Sequence, residues 1–267
     1  VIRRGYAPPI LAIPAVVGLA FLVLPLAALV GRVQWSTLWA DITSTEALDA
    51  LRLSVTTGLV ATALCVLVGV PLALLIARAG ARLASVLRAL VTVPLVLPPM
   101  VGGLALLFLF GRAGWLAGTG WQIPFTTTAV ILAQTFVALP FLVLALEGSL
   151  RTSGVDYERT AAALGAGRWT ILRRVTLPLA APGLLSGVIL CFARAIGEFG
   201  ATALFAGNAP GTTQTMPLAI YTAFNGAGVT QGSAVALSLL LLVTAVLVLL
   251  LVRAWRPSAG PVAGGVR

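Results

Sequence analysis

VDYERTAAALGAGRWTILRRVTLP, residues 155–178, is a densely charged interruption in a chain otherwise made of long apolar runs. Tyr157, Ala161 and Leu164 recur at i, i+4 and i+7, the spacing of one helical face. Asp156 and Glu158 fall in the first turn, where carboxylates favour the positive end of the helix dipole. Gly165 follows directly, as expected of a helix-ending residue with positive φ. A second amphipathic stretch begins there, with Trp169, Leu172 and Val175 on one face and Arg168, Arg173 and Arg174 on the other. Leu177-Pro178 is expected to end it, and the small side chains of Ala161, Ala162 and Ala163 let another surface approach closely. The spacing predicts a helix–glycine–helix knob; a plain pair of surface helices fits the same periodicity.

The surroundings of the knob set the class. Of 267 residues, 60% are apolar and 9% charged, with a mean hydropathy of +1.08. Soluble domains carry about 25% charged residues, so the chain is expected to be an all-α polytopic membrane protein. Six segments reach the roughly 20 apolar residues that a spanning helix needs: residues 10–30, 53–77, 89–110, 128–146, 182–205 and 233–252. Residues 1–256 form one transmembrane domain on this reading, with 147–177 as a loop and 257–267 as a disordered Gly/Pro-rich tail. The first segment is longer than a usual signal-peptide core and is read as a retained helix.

Arginine placement gives an orientation. All 17 basic residues are Arg, and with both termini in the cytoplasm thirteen of them fall inside. The net charge of +10 is therefore mainly a topology signal, spread over four separate segments, and does not point to nucleic acid. The residue inventory narrows the chemistry further. Without Lys there is no Walker A sequence, and without His there is no Ser-His or Cys-His nucleophile pair. Cys65 and Cys191 lie in apolar runs and read as small packing residues.

The 155–178 stretch resembles the cytoplasmic signature of ABC importer permeases: Glu-Ala-Ala, three residues, Gly, nine residues, Ile, one residue, Leu-Pro. Gly165, Val175, Leu177 and Pro178 hold that spacing, with Val in place of Ile, and Ala161 takes the second Ala position. Arg159 and Thr160 stand where Glu and the first Ala are expected, with Glu158 one residue early. A second resemblance covers the fifth segment. Phe192-Ala193-Arg194-Ala195-Ile196-Gly197-Glu198-Phe199-Gly200-Ala201-Thr202 and the following Phe205-Ala206-Gly207-Asn208 are similar to oxyanion permeases. The continuation Pro210-Gly211-Thr212-Thr213-Gln214-Thr215-Met216-Pro217-Leu218 looks like their molybdate branch, and Pro94, Leu97, Pro98, Pro99 and Gly102-Gly103 belong to the same pattern.

What the resemblance implies is a type I ABC importer permease fold with six membrane helices per chain, in a bacterial or archaeal cytoplasmic membrane. It implies a homodimer, with a heterodimer of related permeases as the alternative. Two copies of a separate ATPase would hold ATP and Mg and dock on the knob, leaving this chain without a cofactor or catalytic residues. An extracytoplasmic molybdate-binding protein would deliver the anion. Tungstate or sulfate remain alternative substrates, and an ATPase-independent anion transporter is the alternative class. The ATPase-coupling residues on this reading are Tyr157, Glu158, Ala161, Leu164, Gly165, Val175, Leu177 and Pro178.

The candidate path residues are Arg194, Glu198, Asn208 and Thr213. Arg194 and Glu198 are four apart and can neutralise each other inside the bilayer, where an isolated charge costs about 2.5–3.5 kcal/mol. Alternatively Arg194 attracts the anion, its planar fork suiting a tetrahedral oxyanion, while Glu198 limits the grip. Gly183-xxx-Gly187 and Gly197-xxx-Ala201 have the small-residue spacing of close helix packing. The uncharged connection 206–232 is expected as either a gate beside a pore or an interfacial loop, and its middle, Met216–Phe224, as a short helix in or dipping into the interface.

Overall fold

The computed structural model describes the backbone of residues 9–226 and 231–254. The expected tail at 257–267, and Arg3 and Arg4, lie outside the described residues. Among the described residues the chain is helical throughout: α1 (Ala12–Gly31), α2 (Leu38–Ile42), α3 (Thr45–Arg78), α4 (Ala81–Val96), α5 (Pro99–Phe110), α6 (Thr127–Ser153), α7 (Asp156–Ala163), α8 (Arg168–Ile196), α9 (Gly200–Phe205), α10 (Met216–Phe224) and α11 (Gln231–Ala254).

Four helices, α1, α3, α6 and α8, are long and apolar enough to cross a bilayer as single pieces. The expected third span is not a straight rod. It breaks into α4 and α5, bent by 111°, at Leu97-Pro98. Both of these residues are extended (ψ 135° each), because a residue before proline is pushed out of the helical region and Pro98 is itself followed by Pro99. This pair makes a fifth, broken crossing, and α11 occupies the sixth expected segment, with an apolar stretch at Gly232–Val248. The expected fifth span is likewise interrupted: α8 ends at Ile196, and α9 begins at Gly200 after three intervening residues.

Helix ends follow local chemistry. Ser44 caps α3 by accepting the Ala47 N–H (3.2 Å), and Thr126 caps α6 by accepting that of Ala129 (3.3 Å). At 34 residues α3 is about 50 Å long, well beyond a hydrocarbon core of about 30 Å, so it carries Arg78 out to the knob. α6 also runs past its expected end, through Glu147 to Ser153, so most of the loop expected at 147–177 is helix.

The centre of the bundle is α6 packed between α3 and α8. Glycines permit the contact. A methyl group at Gly187 would lie 3.2 Å from the Leu142 backbone, and one at Gly183 would collide with Ser149. The Gly183/Gly187 expectation holds on this evidence, whereas Gly197 sits at the α8 terminus and packs only against Ala193. Cys65 and Cys191 are both fully buried in one cluster with Ala61, Ala138, Leu142 and Ala195, at the α3–α6–α8 junction. α1 has no buried residue within the single chain.

α10 forms where a short helix is expected, but it is wedged into the bundle. Met216, Ala219 and Ala223 pack with Ala47 and Ala50 of α3 and Ala234 and Leu237 of α11. The Met216 N–H, orphaned at the helix start, donates to Ser54 Oγ of α3 at 2.7 Å.

Candidate functional site

Two regions carry the polar chemistry, at opposite parts of α8. The first is the knob. α7 ends in a Schellman arrangement: Gly165 N–H donates to Ala162 O and Ala166 N–H to Ala161 O, each at 3.0 Å. Gly165 has φ +84°, as its place in the sequence predicts. Tyr157 and Leu164 point outward, 66% and 84% exposed, and Trp169 beside them is 67% exposed with the Arg173 guanidinium 5.7 Å over its ring. Ala161 is half-buried on the inner side.

The second knob helix does not stop at Leu177-Pro178. It continues as the membrane-entering part of α8, through a π-turn at Leu172–Thr176. Pro178 has no N–H to give and its ring crowds the carbonyl four residues back; the wider turn accommodates both. Val175 and Leu177 are half-buried at this root and Pro178 is exposed.

Glu158 turns inward. Its carboxylate pairs with Arg78 at the end of α3 and accepts a hydrogen bond from Thr176 Oγ1 of the π-turn at 2.7 Å. One side chain thus ties α7, α3 and α8 together. Nearby, the buried Glu147 of α6 holds Arg88 of α4 (2.5 Å) and Arg151 (3.3 Å). Arg78 and Arg88 are among the thirteen Arg that the orientation places inside, and Glu147 opens the expected 147–177 loop, so the sequence shows neither pairing directly. The available signal was Arg151 one turn after a lone carboxylate.

The second region is the break between α8 and α9. Arg194 Nη2 lies 2.5 Å from Glu198 Oε2, although Glu198 is past the helix end. The other oxygen, Oε1, accepts the Ala201 N–H at 2.8 Å and so satisfies the start of α9. The two partners differ in exposure. The Glu198 side chain is 1% exposed and that of Arg194 26%, so the carboxylate is committed while the guanidinium keeps donors free on an accessible edge. The break abuts the other broken span. A methyl group at Gly200 would lie 2.9 Å from Pro99 Cβ, and one at Gly103 would lie 2.7 Å from the Ala201 carbonyl oxygen. Phe199 packs its ring 5.1 Å from that of Tyr221 in α10.

Asn208 and Thr213 fall on the connection between α9 and α10. Asn208 is exposed and donates through Nδ2 to Thr222 Oγ1 (2.9 Å). Thr213 is fully buried, its hydroxyl accepting the Ala209 N–H (2.9 Å), which makes it a loop-closing group in this conformation. Among the described residues no group of His, Cys, Asp and Glu is arranged to hold a metal ion.

The profile of the family described as "Binding-protein-dependent transport system inner membrane component" matches residues 69–259, which include the knob, both breaks and the buried charges. The chain belongs to this family. It is 53% identical over 92% of its length, and 93% of the relative's, to the molybdenum transport system permease protein ModB of Mycobacterium tuberculosis. It is 43% identical, over 83% of its length and 81% of the relative's, to a probable molybdenum ABC transporter permease protein of Haloferax volcanii. Among solved structures, a chain of a bacterial alginate ABC transporter, crystallised with its alginate pentasaccharide-bound periplasmic protein, superposes with a TM-score of 0.67. That match covers 91% of each chain at 17% identity and shows the shared fold. The chain is thus a multi-pass membrane permease of the ABC importer type.

Proposed function

We propose that the chain is the translocation subunit through which an ATP-driven importer carries molybdate across the cytoplasmic membrane. The observation that carries the substrate is the 53% identity, sustained over 92% of the chain, to a permease that is named for molybdenum transport. In the proposed assembly two copies of the chain form the path, and two separate ATPase subunits hold ATP and Mg. An extracytoplasmic binding protein supplies the anion. The exposed Tyr157 and Leu164 are the part of the knob that an ATPase cleft would receive. Displacement of the knob passes through Glu158 to Arg78 and Thr176, hence to α3 and α8 together. α8 carries the movement to Arg194, whose free donors meet the oxyanion at the break.

The test reconstitutes the complex in proteoliposomes and adds binding protein loaded with molybdate, tungstate or sulfate in turn. ATPase stimulation and uptake are expected to be highest with molybdate. Stimulation by sulfate equal to that by molybdate would refute the substrate, and failure to co-purify any ATPase would refute the importer.

The Arg distribution supports placing the knob and both termini in the cytoplasm. A cysteine introduced at Ser153, at the knob end of α6, is then expected to react with an impermeant maleimide only in inverted vesicles. One at Thr119, in the connection after α5, should react only in sealed cells. Labelling of Ser153→Cys in sealed cells would reverse the orientation.

A further inference from the structure

Gln134, in the middle of α6, is fully buried, and neither its Oε1 nor its Nε2 has a hydrogen-bond partner among the described residues. An amide left in that condition costs about 1–3 kcal/mol, and a membrane interior offers it no bulk water. A group that strains one conformation in this way is accounted for if another conformation uses it.

The register of α6 against α8 names the partner. The helices run antiparallel, with Gly183 against Ser149 and Gly187 against Leu142 and Ala145. Farther along, Ala138 shares a cluster with Cys191 and Ala195. Every step forward on α8 is thus matched by a step back on α6; Gln134 stands one turn before Ala138, and Glu198 three residues after Ala195, just past the α8 end at Ile196. Both side chains are at most 1% exposed, each within a turn of the Ala138–Ala195 cluster. Here Glu198 accepts the Ala201 N–H through Oε1 and is ion-paired with Arg194 through Oε2, which makes no hydrogen bond, and the Gln134 amide has no partner among the described residues.

We infer that Gln134 is a positioning residue of the translocation cycle: its amide takes the Glu198 carboxylate when α8 shifts along α6, and this frees the Arg194 guanidinium for the oxyanion. The inference rests on the proposed placement of Arg194 on the anion path. It gives the path two affinities. With Glu198 on Arg194 the cation is neutralised and an anion is let go; with Glu198 on Gln134 the cation is bare and an anion is held. Transport needs both states, because a site that only grips does not release.

The test uses the complete transporter with its ATPase and binding protein in proteoliposomes, with molybdate as the probe. Gln134→Leu keeps the bulk and removes the amide. Its complex is expected at wild-type yield or above, since the state described here loses only an unpartnered polar group. Uptake per complex should fall about tenfold, the value of one hydrogen bond lost from one state, with the half-saturating concentration of binding protein unchanged. A purely structural residue would not leave docking and yield intact while slowing uptake. The second readout is Gln134→Leu combined with Glu198→Gln: with the carboxylate neutralised there is nothing to take away from Arg194, so the pair should carry as much per complex as Glu198→Gln alone. Wild-type uptake by Gln134→Leu overturns the inference. So does a reduced yield of that variant, which would mean the amide is already satisfied, and so do independent, multiplying losses in the pair. Arg194→Gln separates the underlying reading: if it transports normally, Arg194 is off the path; if it is dead while Gln134→Leu is normal, only the role of Gln134 falls.

Discussion

Glu198→Gln is expected to lower the amount of assembled complex severely, and Arg194→Gln added to it is expected to restore assembly without restoring uptake. The single change leaves a guanidinium three-quarters buried beside a neutral amide, a loss of about 3 kcal/mol by the measure of unpaired charge in a membrane or a broken buried pair. It also weakens the acceptor that holds the Ala201 N–H at the start of α9. Changing Arg194 as well removes the stranded charge, and two amides can satisfy each other across the same gap. Abundance, measured by immunoblot of the membrane fraction, should therefore recover. Uptake should not recover, because the double variant has lost the free donors that face the accessible edge of the break. ATP hydrolysis without molybdate accumulation is the signature. A double variant with wild-type uptake would show that the pair does nothing beyond neutralising itself.

The second large effect is at the knob. Gly165 has φ +84°, and a Cβ built on it would meet nothing within 4 Å. The penalty for a side chain there is therefore conformational and not steric crowding by neighbours. Gly165→Val places a β-branched residue in the left-handed region, at a cost of about 1–3 kcal/mol. The cheapest relief is to give up the two hydrogen bonds that end α7 and let Leu164 swing away from Tyr157. The spans are untouched, so insertion into the membrane should be normal while co-purification of the ATPase, and with it uptake, falls at least tenfold. Gly165→Asn tolerates the same φ and should retain most of both. Full uptake by the Val variant would detach the knob from coupling.

The apolar segments and the knob were legible because each depends on many residues that agree: twenty apolar side chains for a span, and three periodic positions with a following glycine for α7. The breaks were less so. Pro94, Pro98 and Pro99 were visible, but only the backbone at Leu97 and Pro98 decides between a kink and a 111° turn. The reach of α6 past Glu147 was hidden because a charged residue after an apolar run reads as the start of a loop; the two Arg side chains that neutralise it come from α4 and from one turn onward. The place of Glu158 on α7 was legible, but its direction was not, since periodicity places a residue on a helix without saying which neighbour lies opposite. Gln134 gave no signal at all, being one polar residue inside an apolar run, and its interest arises wholly from what surrounds it.

The contacts at Gly103 and Gly200 leave no space between α5 and α9, so the two kinks can hardly flex independently. They make a single joint. At the other end Glu158 fastens α3, α7 and α8 to one another, and Glu147 separately fastens α4 to α6. In the proposed cycle, movement of one group of helices past the other would fall on the glycine-lined contact between α6 and α8, where Gly183 lies against Ser149 and Gly187 against Leu142 and Ala145. A side chain at Gly183 or Gly187 would then obstruct that movement, so that ATP is spent without a completed cycle.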